Sequence, residues 1–199
     1  MFNFFKKDKP GEQDLWKSFR GRGNSDAVLS EKAKILAAVM VDWARTGTLQ
    51  LIEHLEKDAK DKNPKDKFAE VFMEVVILYI HFADRMAFQL LETPQRDFFM
   101  DALMDEVTDI FAESQPTKQE KAQFGAIIGN IYNERQNEYG NYKMAAAENE
   151  GLGGTLFWEF SKKVADIFGF EKDIITMTQA QIFLVGGLKF LQLPKLFEK

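Results

Sequence analysis

The chain has 199 residues, of which 45% are hydrophobic and 29% are charged, and this composition predicts one soluble globular domain rather than a disordered protein. Its net charge of −5 argues against a nucleic-acid-binding protein, because such proteins gain affinity from Lys and Arg side chains that neutralise phosphates. The sequence contains no cysteine, which excludes disulfides, thiolate metal sites and thiol nucleophiles and fits a reducing compartment. We therefore predict a cytoplasmic location.

The N-terminal residues 1–24 are predicted to form a flexible tail that holds a short helical turn at Asp14–Arg20. The cluster Gly21–Asp26 (GRGNSD) is typical of a loop and separates this tail from the body. Apolar residues then recur at helical spacing over about Ala27–Lys60, which predicts the first long helix. Because glycine disfavours a helix interior, Thr46–Thr48 (TGT) is a place where this helix can break in two.

Three further long helices are marked by start signals. Asn63-Pro64 and Thr93-Pro94 each supply an N-cap residue followed by proline at the first helical position, and Thr117–Glu120 is a capping box. The predicted helices span Pro64–Glu92, Thr93–Ser114 and Thr117–Glu148. Four long helices with short links predict an up-and-down bundle over residues 25–150.

The C-terminal residues 151–199 are predicted to add two amphipathic helices that pack on this four-helix core. The glycine-rich run Gly151–Gly154 marks the joint, and a helix follows over Leu156–Gly169. A second capping box (TQAQ) opens the last helix, Thr178–Gln192. No strand-like alternation of apolar and polar residues occurs anywhere in the sequence, so we predict an all-α fold.

The stretch Val71–Leu91 is long and apolar enough to resemble a membrane span. It contains Glu74, Asp84 and Arg85, and each charge near a bilayer centre costs about 2.5–3.5 kcal/mol. We therefore predict that it is the buried central helix of a soluble bundle.

The polar residues of this helix fall on one ribbon about 100° wide. The ribbon is a candidate metal or acid–base site, but His54 and His81 would lie roughly 16 Å apart along paired helices, too far to share one metal ion. We therefore predict no catalytic residue, no metal and no cofactor, and interpret the ribbon as a solvent-exposed stripe or a partner contact. Its candidate members are Glu70, Glu74, His81, Asp84 and Arg85.

The fourth helix places Arg135 on its apolar face among three of the four tyrosines of the chain. Such a guanidinium can bind a carboxylate, a phosphate or an acidic side chain of a partner. The alternative is that Arg135 pairs with Glu138 one turn on, or with an acid of another helix such as Asp84. The candidate binding residues here are Arg135, Tyr132, Tyr139 and Tyr142.

The two termini mix apolar residues with lysine. Met1–Lys7 contributes Phe2, Phe4 and Phe5, and Leu188–Lys199 contributes several Leu and Phe side chains. This composition is typical of a weak interfacial membrane anchor or of an edge that docks on a partner. The alternative is that these apolar residues fold back onto the bundle.

Two segments suggest a family resemblance. Phe98–Leu103 (FFMDAL) followed by Ile131–Tyr139 (IYNERQNEY) resembles the bacterial relatives of ubiquinol–cytochrome c chaperones. The resemblance covers less than half of the chain, and no residue role is transferred from it. It implies an assembly factor that works beside a membrane.

The sequence predicts a non-enzymatic bundle that binds another macromolecule, as an adaptor, a chaperone or an accessory subunit. A protein partner is favoured over nucleic acid, and a homo-oligomer is left open. The first alternative is a peripheral membrane or lipid-associated assembly factor at the inner membrane surface. The second is a metal or acid–base enzyme that uses the Glu70–Asp84 ribbon.

Overall fold

A computed structural model describes residues 14–56, 63–112, 117–144, 151–171 and 173–198. Over these residues the chain is all-α, as predicted, and its only strand-like feature is an isolated bridge between Lys143 and Thr155. Single 3₁₀ turns precede the first and second α-helices, at Lys17–Phe19 and Pro64–Lys67. The α-helices are α1 (Asp26–Glu56), α2 (Phe68–Leu90), α3 (Thr93–Ala112), α4 (Lys118–Gly140), α5 (Leu156–Ile167), α6 (Ile174–Leu191) and the one-turn α7 (Leu193–Leu196).

Helix α1 continues through Gly47 without a break. A Cβ atom at Gly47 would overlap the ring of Phe183 in α6, so the missing side chain lets this ring pack directly on the α1 backbone. The glycine therefore serves close approach between two helices rather than a change in chain direction.

Three predicted boundaries are wrong. Helix α2 starts at Phe68 rather than Pro64, because Pro64–Lys67 forms a 3₁₀ turn and the Asn63 side chain does not cap it. Helix α4 ends at Gly140 instead of continuing towards Glu148, because Lys143 turns to pair with the next segment: its amide donates to Gly154 O at 3.1 Å and its carbonyl accepts from Leu156 N at 2.8 Å. Helix α6 starts four residues before the predicted Thr178, because Asp173 is its N-cap. The Asp173 carboxylate accepts the amide of Thr176 at 2.9 Å, whereas the Thr178 hydroxyl donates to the helix backbone.

Several predicted segments lie outside the described residues. These are the tail up to Gln13 with Phe2, Phe4 and Phe5, the end of the first predicted helix after Glu56, the end of the third near Ser114, residues 145–148 and Lys199. The short turn predicted at Asp14–Arg20 is described, and it contains the 3₁₀ turn.

Helix α2 has the most varied surroundings, with α1, α3, α4, α5 and α7 all packed against it. Its buried residues run from Val71 to Ala87 and include Ile77 and Leu78, both inaccessible to solvent. Helix α1 packs against α2, α3 and α6, and α5 packs against α6. The C-terminal helices are therefore part of the main packing, and Val71–Leu91 forms most of the buried α2, as its sequence predicts.

Two described helices are long and apolar enough to cross a membrane by length and composition, and Val71–Leu91 is not one of them. They are α1, of which 50% of the apolar window is buried, and the segment Ile174–Leu196, of which 33% is buried. The core position of α1 accounts for its apolar composition. In Ile174–Leu196, by contrast, most of the apolar window lies outside the core.

The described N-terminal residues tie the start of α1 to the end of the chain. The buried indole of Trp16 donates to Leu191 O at 2.8 Å, and the Asn24 amide donates to Phe197 O at 3.3 Å. The Lys32 ammonium, also buried, donates to Asn24 Oδ1 at 2.8 Å, and its burial lowers the pKa of Lys32. These contacts order the segment before α1 across the C-terminal helices.

The C-terminal segment Leu188–Lys199 turns much of its apolar surface inward. Its side chains that are at least nine-tenths buried are Leu191, Leu193, Leu196 and Phe197. The ring of Phe197 packs edge-on against Phe99 of α3, with 4.9 Å between centroids. For these four residues the structure matches the alternative in which the terminus folds back onto the bundle.

Two neighbouring glycines in α6 give a test of this packing. A Cβ atom at Gly187 would overlap the Tyr79 hydroxyl and lie 2.7 Å from Trp43 Nε1, so Gly187→Ala should lower the free energy of unfolding by about 1–3 kcal/mol. Gly186→Ala is the matched control, because its Cβ would meet only Trp43 at an ordinary 3.8 Å. It should be neutral or stabilising by up to about 1 kcal/mol, since alanine favours a helix. Urea unfolding of both variants measures this, and equal destabilisation would contradict the close approach at Gly187.

Candidate functional site: a buried polar network between α2 and α4

The polar ribbon of α2 changes environment along its length. Asp66 and Glu70 are exposed, but the residues Glu74 and His81 are only 5% and 3% exposed, and Asp84 and Arg85 are half-buried. The interpretation of the whole ribbon as a solvent-exposed stripe is therefore wrong from Glu74 onward. That part of the ribbon faces α4 and α3 and forms an internal network.

The centre of the network is the ion pair between Glu74 and Arg135 of α4. Arg135 Nε donates to the two carboxylate oxygens of Glu74 at 2.8 and 3.0 Å, and Arg135 Nη2 lies 2.6 Å from Oε1. The Tyr139 hydroxyl donates to the same carboxylate at 2.8 Å. The hydrogen bonds to Glu74 raise the pKa of Arg135, so the guanidinium remains charged.

The remaining donors of Arg135 point at acids of its own helix. Nη1 donates to Glu134 at 2.9 Å and to Glu138 at 3.2 Å. The alternative partner expected at Glu138 is therefore present, but the acid from another helix is Glu74 rather than Asp84. A guanidinium that already contacts three carboxylates offers little to an external anion.

The three tyrosines near Arg135 in sequence have different surroundings. Tyr139 is 1% exposed and shares Glu74 with Arg135, and burial together with this carboxylate raises its pKa. Tyr132 lies near Gln136 and Asp84, and Tyr142 lies near Glu138 and Glu159. Burial is the main cause that raises the pKa of both. The structure thus brings Tyr139, but not a cage of three rings, to the guanidinium.

His81 lies two helical turns after Glu74 on α2 and extends the network along this helix. Its Nδ1 hydrogen bonds to Oε1 of Gln136, which assigns the proton to Nδ1, and its ring meets Tyr139 edge-on with 5.6 Å between centroids. Burial lowers the pKa of His81, and Arg85 adds to this effect. Among the described atoms, Nε2 of His81 and Nε2 of Gln136 are buried without a hydrogen-bond partner. His81 is therefore a neutral, internal residue at pH 7.

Further ion pairs connect the network to α3 and α5. Arg96 of α3 donates to both carboxylate oxygens of Asp84 at 2.8 and 3.0 Å. Lys163 of α5 donates to Glu138 at 2.6 Å, and Arg85 donates to the Tyr139 carbonyl at 3.3 Å. The network therefore joins four helices, α2 to α5.

The geometry favours a structural role for these residues. Each carboxylate of the network has a cationic or hydroxyl partner, so none is held ready as a general base. In the described part of the chain, no group of three or more His, Asp or Glu side chains could hold a metal ion. The network can fix helix positions.

The predicted binding residues did not include Gln136 or Arg96, and Glu74 was predicted only as a member of the α2 ribbon. A signal for Glu74 was present, because an acid inside the most apolar stretch of the chain requires a buried partner. Arg135 is the corresponding cation on the apolar face of α4. Gln136 and Arg96 gave no comparable signal, since their partners depend on how the helices pack.

Comparison of the chain with protein-family models, with curated proteins and with solved structures finds no match. The resemblance in Phe98–Leu103 and Ile131–Tyr139 gains no support from these comparisons.

Two glutamates of α2 test the importance of the central ion pair. Glu74→Gln removes the buried charge that pairs with Arg135, and we expect the free energy of unfolding to fall by about 3 kcal/mol because the guanidinium keeps only the more exposed Glu134 and Glu138 as ionic partners. Glu70→Gln lies one turn earlier, where the side chain is exposed and paired with Lys67, and should change stability by less than about 0.5 kcal/mol. Denaturant midpoints of both variants measure the difference. Similar small effects would contradict the buried pair.

The burial of His81 predicts that the protein loses stability in acid. The pKa of His81 in the folded protein lies below the unfolded value of about 6.5, so the unfolded chain binds the proton more readily. The contribution of neutral His81 is complete above about pH 6.5 and is lost as the pH falls through that value towards the lower folded pKa.

Unfolding measured between neutral and mildly acidic pH should therefore show a decline that the His81→Gln variant reduces. His54→Gln removes the other histidine and should retain the decline of the unmodified protein. An identical pH dependence in the unmodified protein and in His81→Gln would contradict the burial of a neutral imidazole.

Proposed function

We propose that the protein is a non-enzymatic binding protein that docks another macromolecule on the outer face of α6. The observation that carries this proposal is a row of exposed apolar side chains on one described helix. Ile174, Ile175, Ile182 and Val185 are 59%, 61%, 61% and 37% exposed. With the exposed residues between and after them they form the α6 face, defined as Ile174, Ile175, Thr178, Ile182, Val185 and Lys189.

The α6 face is contiguous. At 100° per residue its six members fall within an arc of about 100°, and Ile174 to Lys189 extends about 22 Å along the helix. Single exposed apolar residues are ordinary, whereas a contiguous apolar patch is typical of an interaction surface. This patch supports an adaptor, chaperone or accessory subunit, which we place in the cytoplasm.

The polar network between α2 and α4 is consistent with a binding surface elsewhere on the protein, because its charged side chains are already paired with one another. The expected binding residues on α2 and α4 contact one another: Arg135 binds Glu74, and Asp84 binds Arg96. We therefore propose a supporting role for them and move the binding surface to α6. The candidates concerned are Arg135, Tyr132, Tyr139, Tyr142, His81, Asp84 and Arg85. The enzyme alternative has no specific observation in its favour.

We also propose that the four long helices, with α5 and α6 packed on them, act as one rigid support for this surface. Contacts of α6 with α1, and of α5 with α2, favour this arrangement. The ion pair between Lys163 and Glu138 adds a polar link between α5 and α4.

Fractionation of a detergent-free extract of the native host tests the proposal. The unmodified chain should migrate in an assembly larger than its own 22.9 kDa, and the double variant Ile175→Asp/Ile182→Asp should migrate as the free chain, because two charges would be buried without partners at the interface. Ile127→Asp is the matched control, since Ile127 is 54% exposed but lies on α4. It should remain in the assembly. Free migration of the unmodified chain, or an assembly unaffected by the double variant, would overturn the proposal.

A further inference from the structure

We propose that the macromolecule bound by the α6 face is the anionic surface of a lipid bilayer. This inference rests on the proposed function, because it names the partner of the same surface. Two observations support it: the charge pattern of the C-terminal helices and the way α6 is held in the fold.

The charge pattern sets the α6 face apart from the rest of the chain. The whole protein carries 31 acidic and 26 basic residues, yet Ile174–Phe197 contains no acidic residue. Its charges are Lys189 and Lys195, and both are exposed. An anionic bilayer repels an acidic protein in most orientations and attracts exposed lysines. Exposed isoleucines together with lysines therefore favour an orientation with α6 against the lipid headgroups.

The inner side of α6 is held by the bundle. Leu184 and Leu191 are completely buried, Phe183 packs on the backbone at Gly47, and Gly187 lies against Tyr79. The segment is apolar enough by composition to span a membrane, but insertion would strip these contacts from the core. The geometry therefore points to a helix that lies in the plane of the membrane interface, with its outer face among the headgroups.

A protein partner or a second copy of the chain would also cover an apolar face. A face of three isoleucines with Lys189 and no acid, in a protein of net charge −5, matches an anionic bilayer surface directly, whereas a protein partner would need acids of its own placed to meet Lys189. A second copy would in addition place Lys189 near its own equivalent if the two helices paired with matching ends together. The charge pattern therefore favours lipid over these two partners.

Sedimentation of the purified full-length chain with vesicles tests the inference. The chain should bind vesicles of phosphatidylcholine mixed with anionic phosphatidylglycerol, bind pure phosphatidylcholine more weakly, and dissociate as salt is raised. Ile175→Asp/Ile182→Asp should lower the partition coefficient by at least about tenfold, because the apolar contact is lost. Lys189→Glu should lower it about fivefold on anionic vesicles only. Ile127→Asp should bind as the unmodified chain does, and far-UV circular dichroism should show that all variants are folded.

Three results would overturn the inference, and they are distinct from failure of the proposed function. The first is no binding of the unmodified chain to anionic vesicles. The second is equal binding by Ile175→Asp/Ile182→Asp. The third is concentration-dependent dimerisation that this variant abolishes in the absence of vesicle binding. If vesicle binding fails while the assembly in host extract still depends on the α6 face, the lipid partner is wrong and the docking function stands; if both fail, both are overturned.

Discussion

The ion pair between Glu74 and Arg135 is the constraint on which the arrangement of the helices depends. A carboxylate buried in an apolar helix costs several kcal/mol unless a well-placed cation and further hydrogen bonds compensate it. Here a guanidinium of α4 supplies two of its nitrogen atoms and Tyr139 supplies a hydroxyl to the same group. A shift of either helix by one turn, about 5.4 Å, would separate these atoms. The pair therefore fixes both the rotation and the axial position of α4 against α2.

The position of α4 determines which partners the other polar residues of the network can reach. Glu138 lies three residues after Arg135 and meets Lys163, which brings α5 against the same side of the bundle. His81 meets Gln136 and remains neutral inside. The outcome is an unusual distribution of chemistry: charged groups of α2 and α4 are turned inward and paired, while large apolar groups of α6 are turned outward and have no partner among the described residues. The charged residues of α2 and α4 therefore serve the packing of the helices, and the exposed apolar surface of α6 is the candidate for binding.

The all-α fold and most helix starts were predictable because they depend on local chemistry. The Thr117 hydroxyl caps α4 as its capping box predicts, and Gly169 adopts a positive φ of 74° just after α5 ends. Two of the predictions that failed depend on distant residues, whereas the start of α6 depends on its local cap, Asp173. The end of α4 is set by pairing of Lys143 with the segment before α5. Glu74 is buried and Glu70 is exposed, although both lie on the same ribbon of α2. The difference depends on which helix packs over each residue, and the periodicity of the sequence does not predict this.

The packing of the helices explains the residues on the inner side of α6 but not those on its outer side. Its inner side is required: the glycine at position 187 admits Tyr79, and Leu184 fills the core. Its outer side is not required, because polar residues at exposed helix positions change stability by about 0.5 kcal/mol or less. Isoleucines at 174, 175 and 182 even carry a liability, since exposed apolar patches promote association. Packing therefore accounts for one half of this helix, and the binding surface that we propose would account for the other.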